Sequence, residues 1–366
     1  MKNINKVEIF HWPLLAFTAA VILIGLLNLY SASQAGDGTH NSYFLSQLAW
    51  VGVSVIICTP IFLIDYRIYE RIAYFLYAAG VILLLIVFFT RPIAGSQRWI
   101  PLGFFNLQPS ELMKVIIVVT LAHYFHNDIA PVEGYNLKRL LKPFALGGLP
   151  VLLILFEPDL GTALMLSFIA GTIFLFVKIR FRTILALILV ALIAMPIGWN
   201  FVMKDYQKKR VLTMIDPEAD PRGSGYHRRQ SVIAIGSGGF LGKGFTDGTQ
   251  TQLRFLPEQH TDFIFSVWAE EQGFLGSLLL IGMYGGLIMS GLHIASKARE
   301  KFGALLALGA SAIIFWQVLI NIGMVVGLLP VVGVTLPFMS YGGTSLVISM
   351  CCVAVMLNVY SRKHMF

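Results

Sequence analysis

Runs of roughly twenty apolar residues recur along almost the whole chain, and each is long enough to cross a bilayer core about 30 Å thick as a helix. Charged or Pro/Gly-rich breaks separate them into clear spans near 12–30, 44–64, 72–89, 160–177, 183–203, 303–328 and 340–360. With 57% hydrophobic and 13% charged residues over 366 positions, there is too little polar surface to coat a water-soluble globule of this size. A large soluble domain has no room. The first run, Trp12 to Tyr30, is longer than a signal-peptide core and has no cleavage pattern after it, so it reads as a retained span.

Three more spans are less clean. Ser110 and Glu111 read as the capped start of a helix at the membrane surface that extends to Phe125. Lys138 to Phe156 reaches spanning length when Lys138, Arg139 and Lys142 snorkel to the interface. The eighth span opens near Asp262 and carries Glu270 and Glu271 before it turns apolar through Ile294. The expectation is an all-α polytopic membrane protein of about ten transmembrane helices, a single domain over 1–366.

Orientation follows from Lys and Arg. Placing Lys2 and Lys6 in the cytoplasm puts Arg67, Arg71, the 138–142 and 178–182 clusters, Lys297, Arg299, Lys301, Arg362 and Lys363 on the same side, fifteen of the 27 basic residues. The loops 31–43 and 329–339 on the other side carry none. The expected topology is N-in and C-in, with one long extracytoplasmic segment, 205–261, between spans seven and eight. That segment is itself basic. Long loops cross the membrane regardless of charge, so its cations need no explanation. The alternative is an anionic partner at the outer leaflet, pyrophosphate above all, which Arg forks and helix-end amides suit.

Ionisable residues at membrane depth are costly, so those interrupting apolar sequence are candidates for function: Glu111 with Lys114, Glu157 with Asp159, and Asp262 with Glu270 and Glu271. All fall near the outer face. Glu111 and Lys114, at i and i+3, can pair as a neutralising bridge or act directly. Glu157 and Asp159 sit in a tight turn where a carboxylate can simply cap the next helix. Glu258, His260 and Asp262 stand at every second position before an aromatic-apolar run. Thr261 or Asp262 can cap that helix, but three titratable groups exceed what a cap requires, and a carboxylate at a water–membrane boundary suits a general base. The same three can bind a divalent cation such as Mg, although their spacing matches no zinc signature.

The glycine-rich Ile235 to Gly244 lacks the Gly-Lys-Ser/Thr ending and the preceding strand of a phosphate loop, so it reads as backbone that approaches a ligand or helix closely. Gly333 to Pro337 and Ser340 to Ser345 are small-residue ends that can line a cavity. Cys58, Cys351 and Cys352 lie in apolar runs and read as packing residues.

Several stretches together carry a family resemblance. Gly248-Thr-Gln-Thr-Gln-Leu through His260-Thr261-Asp262, with Gln97-Arg98-Trp99, Gln108-Pro-Ser-Glu111-x-x-Lys114, Glu157-Pro-Asp159-Leu-Gly-Thr162 and Ser340-Tyr-Gly-Gly343, resembles the SEDS family of shape, elongation, division and sporulation proteins over essentially the full length. The Gly248-Thr-Gln-Thr-Gln-Leu stretch, together with Gly225-Tyr226-His227 and Gln230-Ser231, favours its elongation member over its division homologue. The resemblance implies a peptidoglycan glycosyltransferase that polymerises lipid II onto a nascent glycan strand, inverting, with undecaprenyl pyrophosphate as leaving group. It implies a multi-pass protein of the bacterial inner membrane within the rod-elongation complex. A class B penicillin-binding protein would supply the transpeptidase. Membrane lipids are the other expected partners, and nucleic acid is not one. Asp262 matches the family's essential aspartate, and Glu111, Lys114 and Asp159 match positions important to it. Arg98, Arg210, Lys243 and His260 are further candidates for substrate contacts or cavity support, the cations on electrostatic grounds. The competing reading is a flippase or transporter for a lipid-linked precursor, which ten spans with intramembrane charges also suit. A third is a noncatalytic scaffold.

Overall fold

The computed structural model describes every residue except 1–9, 35–40, 92–96, 104, 130, 217–219, 221–222, 254, 257 and 364–366. Lys2 and Lys6, used above for orientation, and Arg254 and Pro257 of the long motif lie outside the described residues.

Among the described residues the chain folds into α1 (Trp12–Gln34), α2 (Asn41–Leu63), α3 (Tyr66–Arg71), α4 (Ala73–Val87), α5 (Pro109–Asn127), α6 (Leu137–Phe156), α7 (Leu160–Phe176), α8 (Phe181–Ile197), α9 (Asp205–Ile215), α10 (Ser224–Ser237), α11 (Thr249–Gln252), α12 (Ile264–Lys297), α13 (Lys301–Val325) and α14 (Gly343–Ser361). Strands β1 (Ile100–Pro101) and β2 (Asn106–Leu107) form one small antiparallel hairpin ahead of α5. Seven helices are long and apolar enough to cross a membrane, α4 and α7 are shorter apolar helices, and α5 is the tenth at an expected position. The long segment 205–261 contains α9, α10 and α11.

The bundle is built around α13, which packs on α5, α7, α12 and α14. Gly303, Ala307, Gly309, Ala310 and Ser311 make that closeness possible. Lipid tails are as apolar as Leu, so close van der Waals approach between small residues replaces the hydrophobic drive that assembles soluble helices. Perimeter helices instead expose apolar side chains: α8 presents Leu185, Ile188, Leu189, Leu192, Ile193 and Met195 outward.

Two helix starts differ from expectation. Gln108 is the N-cap of α5 and Pro109 its first residue, so Ser110 lies inside the helix rather than capping it. Proline's fixed φ and missing N–H suit that first position. The N-cap of α12 is Phe263, with no side-chain cap bond, so neither Thr261 nor Asp262 caps this helix.

The glycine-rich stretch is explained by a break in α12. Gly273 (φ 66°, ψ −161°) interrupts the helix and frees backbone groups on both sides. The Lys243 and Gly244 amides donate to the Glu270 and Glu271 carbonyls at 3.1 Å, while Phe274 and Leu275 amides donate to Gly239 and Phe240 at 2.9 and 3.1 Å. A Cβ on Gly242 would strike the Glu271 carbonyl, so the mated backbones need glycine there.

Candidate active site

The N-termini of α5, α7 and α14 meet at one end of the bundle and face a cavity of about 620 Å³. The β-hairpin brings Arg98, Trp99, Asn106 and Gln108 to its wall, α9 brings Arg210, and the loop before α12 brings Glu258, Thr261 and Asp262. Helix N-termini carry partial positive charge and unpaired amides, so this end suits an anion.

Of the residues singled out above, Arg98, Glu111, Lys114, Asp159, Arg210, Glu258 and Asp262 line this one cavity, as do Val332–Thr335 and Tyr341–Ser345. Lys114 Nζ sits 2.8 Å from Glu111, with the lysine side chain 1% exposed. Asp159 does cap α7, accepting from the Thr162 amide and hydroxyl at 3.2 and 2.9 Å. It also accepts from Gln108 at 3.3 Å and lies 3.8 Å from Arg98, whose guanidinium donates to the Pro158 carbonyl.

Two candidates are placed elsewhere. Lys243 does not line the cavity: its ammonium lies 2.7 Å from Glu270, a carboxylate that also accepts from the Gln250 and Thr251 amides. A buried carboxylate needs that neutralisation, so the lysine is drawn to α12 rather than to a phosphate. His260 stacks on Tyr43 with ring centroids 4.7 Å apart. Glu258, His260 and Asp262 do not converge, and among the described residues no three His, Cys, Asp or Glu side chains gather closely enough to hold a metal ion unaided.

Glu157 stays out of the cavity and buried, with neither carboxylate oxygen hydrogen-bonded. Burial first, and then the Asp159 charge, push its pKa up to about 8 against the pull of Arg98. A carboxyl whose pKa is higher folded than unfolded loses stability as pH rises from its ordinary value through the raised one. Glu157→Gln is therefore expected to melt with the wild type at about pH 5 and above it at about pH 9, as read by thermal unfolding in detergent.

The loop holding Asp262 is clamped through its backbone. Buried Asn321 donates to the Asp262 and Val334 carbonyls at 2.9 and 2.7 Å. Ser340 donates to the Thr261 carbonyl at 2.6 Å, and the Tyr341 amide to that of His260 at 2.8 Å. Gly333, at φ +73°, brings its backbone so near that an added Cβ would lie 3.3 Å from Asp262 Oδ2. The carboxyl of Asp262 is thus left to the cavity. Burial and the Glu258 charge push its pKa up to about 6, opposed by Arg210, a bond from Thr261, and Arg98.

Asn321 escaped the sequence reading, which weighed only ionisable residues; an amide in the middle of an apolar run was the available signal. Asn321→Ala would orphan the buried Val334 carbonyl, at about 1–3 kcal/mol, and release the part-buried Asp262 carbonyl at a smaller cost. The expected result is a lower melting temperature and a slower reaction together, checked by unfolding and turnover on one preparation.

A second cavity of about 350 Å³ lies against the first and is lined by Lys209, Ser224 and His227. Arg210, Glu258, Asp262 and Gly333 line both. Asp262, its pKa raised by burial, thus stands on the wall shared by two adjoining cavities at one end of a polytopic helical bundle. The chain matches the FTSW_RODA_SPOVE family of cell cycle proteins over residues 11–365. It is 41% identical to the peptidoglycan glycosyltransferase MrdB of Escherichia coli K12, over 99% of this chain and 98% of that protein. A solved chain from a peptidoglycan synthase complex coordinating polymerization and crosslinking superposes with a TM-score of 0.80 at 30% identity, covering 98% of this chain and 99% of that one. The crystal structure of the rod shape determining protein RodA from Thermus thermophilus gives 0.71 at 28% identity, covering 97% and 98%. The chain belongs to the FTSW_RODA_SPOVE family, most like its RodA members, and is a glycosyltransferase.

Proposed function

We propose that this chain polymerises lipid II into β-1,4-linked glycan strands at the outer face of the bacterial inner membrane, during cell elongation, with Asp262 as general base. The observation that carries the reading is the position of Asp262 on the wall common to the two cavities. One cavity receives the donor and the other the acceptor. The ionised carboxylate takes the proton from the acceptor's GlcNAc 4-hydroxyl as that oxygen attacks the anomeric carbon of the donor MurNAc. The bond from that carbon to undecaprenyl pyrophosphate breaks on the opposite face, so configuration inverts. Pyrophosphate is a good leaving group, so a second carboxylic acid is unnecessary. Arg98, Arg210 and the helix N-termini stabilise the charge that develops on it.

Glu258 and Asp262 fit a divalent cation in one form. Magnesium is commonly bound through one or two carboxylates and substrate phosphate rather than by an all-protein cage. When bound it would neutralise charge on the departing pyrophosphate.

The bias of Lys and Arg supports an N-in, C-in orientation, with 205–261 outside. Cavity residues drawn from Trp50 to Ser345 support a single domain over the full length. The similarity to a chain of a synthase that both polymerises and crosslinks supports a class B penicillin-binding partner. The test is a proteoliposome preparation given labelled lipid II. Polymer without net translocation of precursor is expected; translocation without polymer would replace this reading with the flippase.

A further inference from the structure

At the end of the bundle opposite Asp262, a groove of about 430 Å³ runs between α7, α12 and α13. Its walls are mainly apolar: Val177 closes the end of α7, Leu292 and Ala295 come from α12, and Ala304 and Leu308 from α13, while the exposed Ser296 hydroxyl donates to the His293 carbonyl. The facing alanines make the room. Phe176, 67% exposed, marks the groove's rim as part of the bundle's outer surface.

One cation stands in this apolar lining, the exposed Lys301. Lys297 and Arg299 lie in the same connection between α12 and α13, and both are exposed. The acidic residue among them, Glu300, is engaged by Arg67 at 2.5 Å and accepts from Tyr66 at 3.5 Å. Asp128, at the end of α5, is the carboxylate near enough to act on Lys301, and it offsets one of the three cations. The mouth is therefore net positive where the apolar spans end. Its depth accepts only hydrocarbon.

We infer that this groove is a binding site for an anionic phospholipid, with one acyl chain between α7, α12 and α13 and the headgroup phosphate on Lys301. Chain and phosphate are both required by the chemistry: a free anion leaves the apolar walls uncovered, and a neutral lipid leaves the cations unused. Basic pockets between membrane helices recognise anionic headgroups by the same combination. The orientation proposed above assigns the site to the cytoplasmic leaflet, but the binding does not depend on that assignment or on the glycosyltransferase reaction.

The test is native mass spectrometry of the full chain released from detergent, titrated with phosphatidylglycerol and with phosphatidylcholine of the same chains. The wild type is expected to retain one phosphatidylglycerol in preference to phosphatidylcholine. Lys301→Glu is expected to lower that affinity by at least about tenfold. Ala304→Trp, which fills the groove, is expected to lose the tightly held lipid while Lys301 is intact. Should the Trp variant fail to fold, the exposed Lys301 substitution decides alone. Equal retention of the two lipids by the wild type, or unchanged selectivity in Lys301→Glu, would overturn the site. Lipid II polymerisation on the same preparations separates failure here from failure at Asp262.

Discussion

Lys114→Met is expected to cost about 3–5 kcal/mol of stability, enough to leave much of the protein unfolded. The lysine is 1% exposed and sits 2.8 Å from Glu111, so removing it strands a carboxylate in a buried site near the membrane surface. Adding Glu111→Gln removes the stranded charge. The double variant is therefore expected to recover most of the lost melting temperature, since a buried pair can often be replaced by neutral groups at little cost. Recovery of the fold should not restore function. Both side chains face the cavity, and the double variant is expected to polymerise at least about tenfold more slowly than wild type. Unfolding and turnover measured side by side would expose a pure brace, because activity would then return with stability.

Asp262→Asn is expected to slow polymerisation by about 10²- to 10⁴-fold, the range a general base contributes, with no loss of melting temperature, which above about pH 6 should exceed that of wild type because the asparagine carries no buried charge. The asparagine preserves shape and the backbone clamp from Asn321 and Ser340. It cannot take a proton. The pH profile carries a second signature. With its pKa pushed up to about 6, the wild-type carboxyl is protonated and idle below that value and ionised above it. The rate should rise tenfold per pH unit below about 6 and level off above it. Glu258→Gln removes a charge that raises this pKa, so the rising limb should move to lower pH.

The long apolar helices were legible because a bilayer demands about twenty apolar residues per crossing and leaves that period in the sequence, whereas the short α3, α9, α10 and α11 carry no such period. Charged interruptions were legible for the same reason, and Glu111, Lys114, Asp159 and Asp262 do share one cavity. Roles were harder to read than locations. A carboxylate that caps a helix and one that does not look alike at a helix start: Asp159 caps α7, whereas Asp262 does not cap α12. Lys243 was drawn toward phosphate by charge alone, but Glu270 lies 27 residues away in sequence and the broken helix at Gly273 is what brings them together. That break came from one glycine whose φ and ψ no apolar pattern announces. The second cavity is assembled from α9, α10 and two distant loops, a purely tertiary juxtaposition.

The proposed reaction needs one carboxylate between two sugar-bearing lipids. A gel-resolved lipid II polymerisation assay on purified protein, wild type against Asp262→Asn, with and without chelator, meets it most directly. Long glycan strands from wild type and at most about a hundredth of that yield from the variant are expected, and the chelator arm reads whether Glu258 and Asp262 would hold a divalent cation. Strands of wild-type yield from Asp262→Asn would contradict the account.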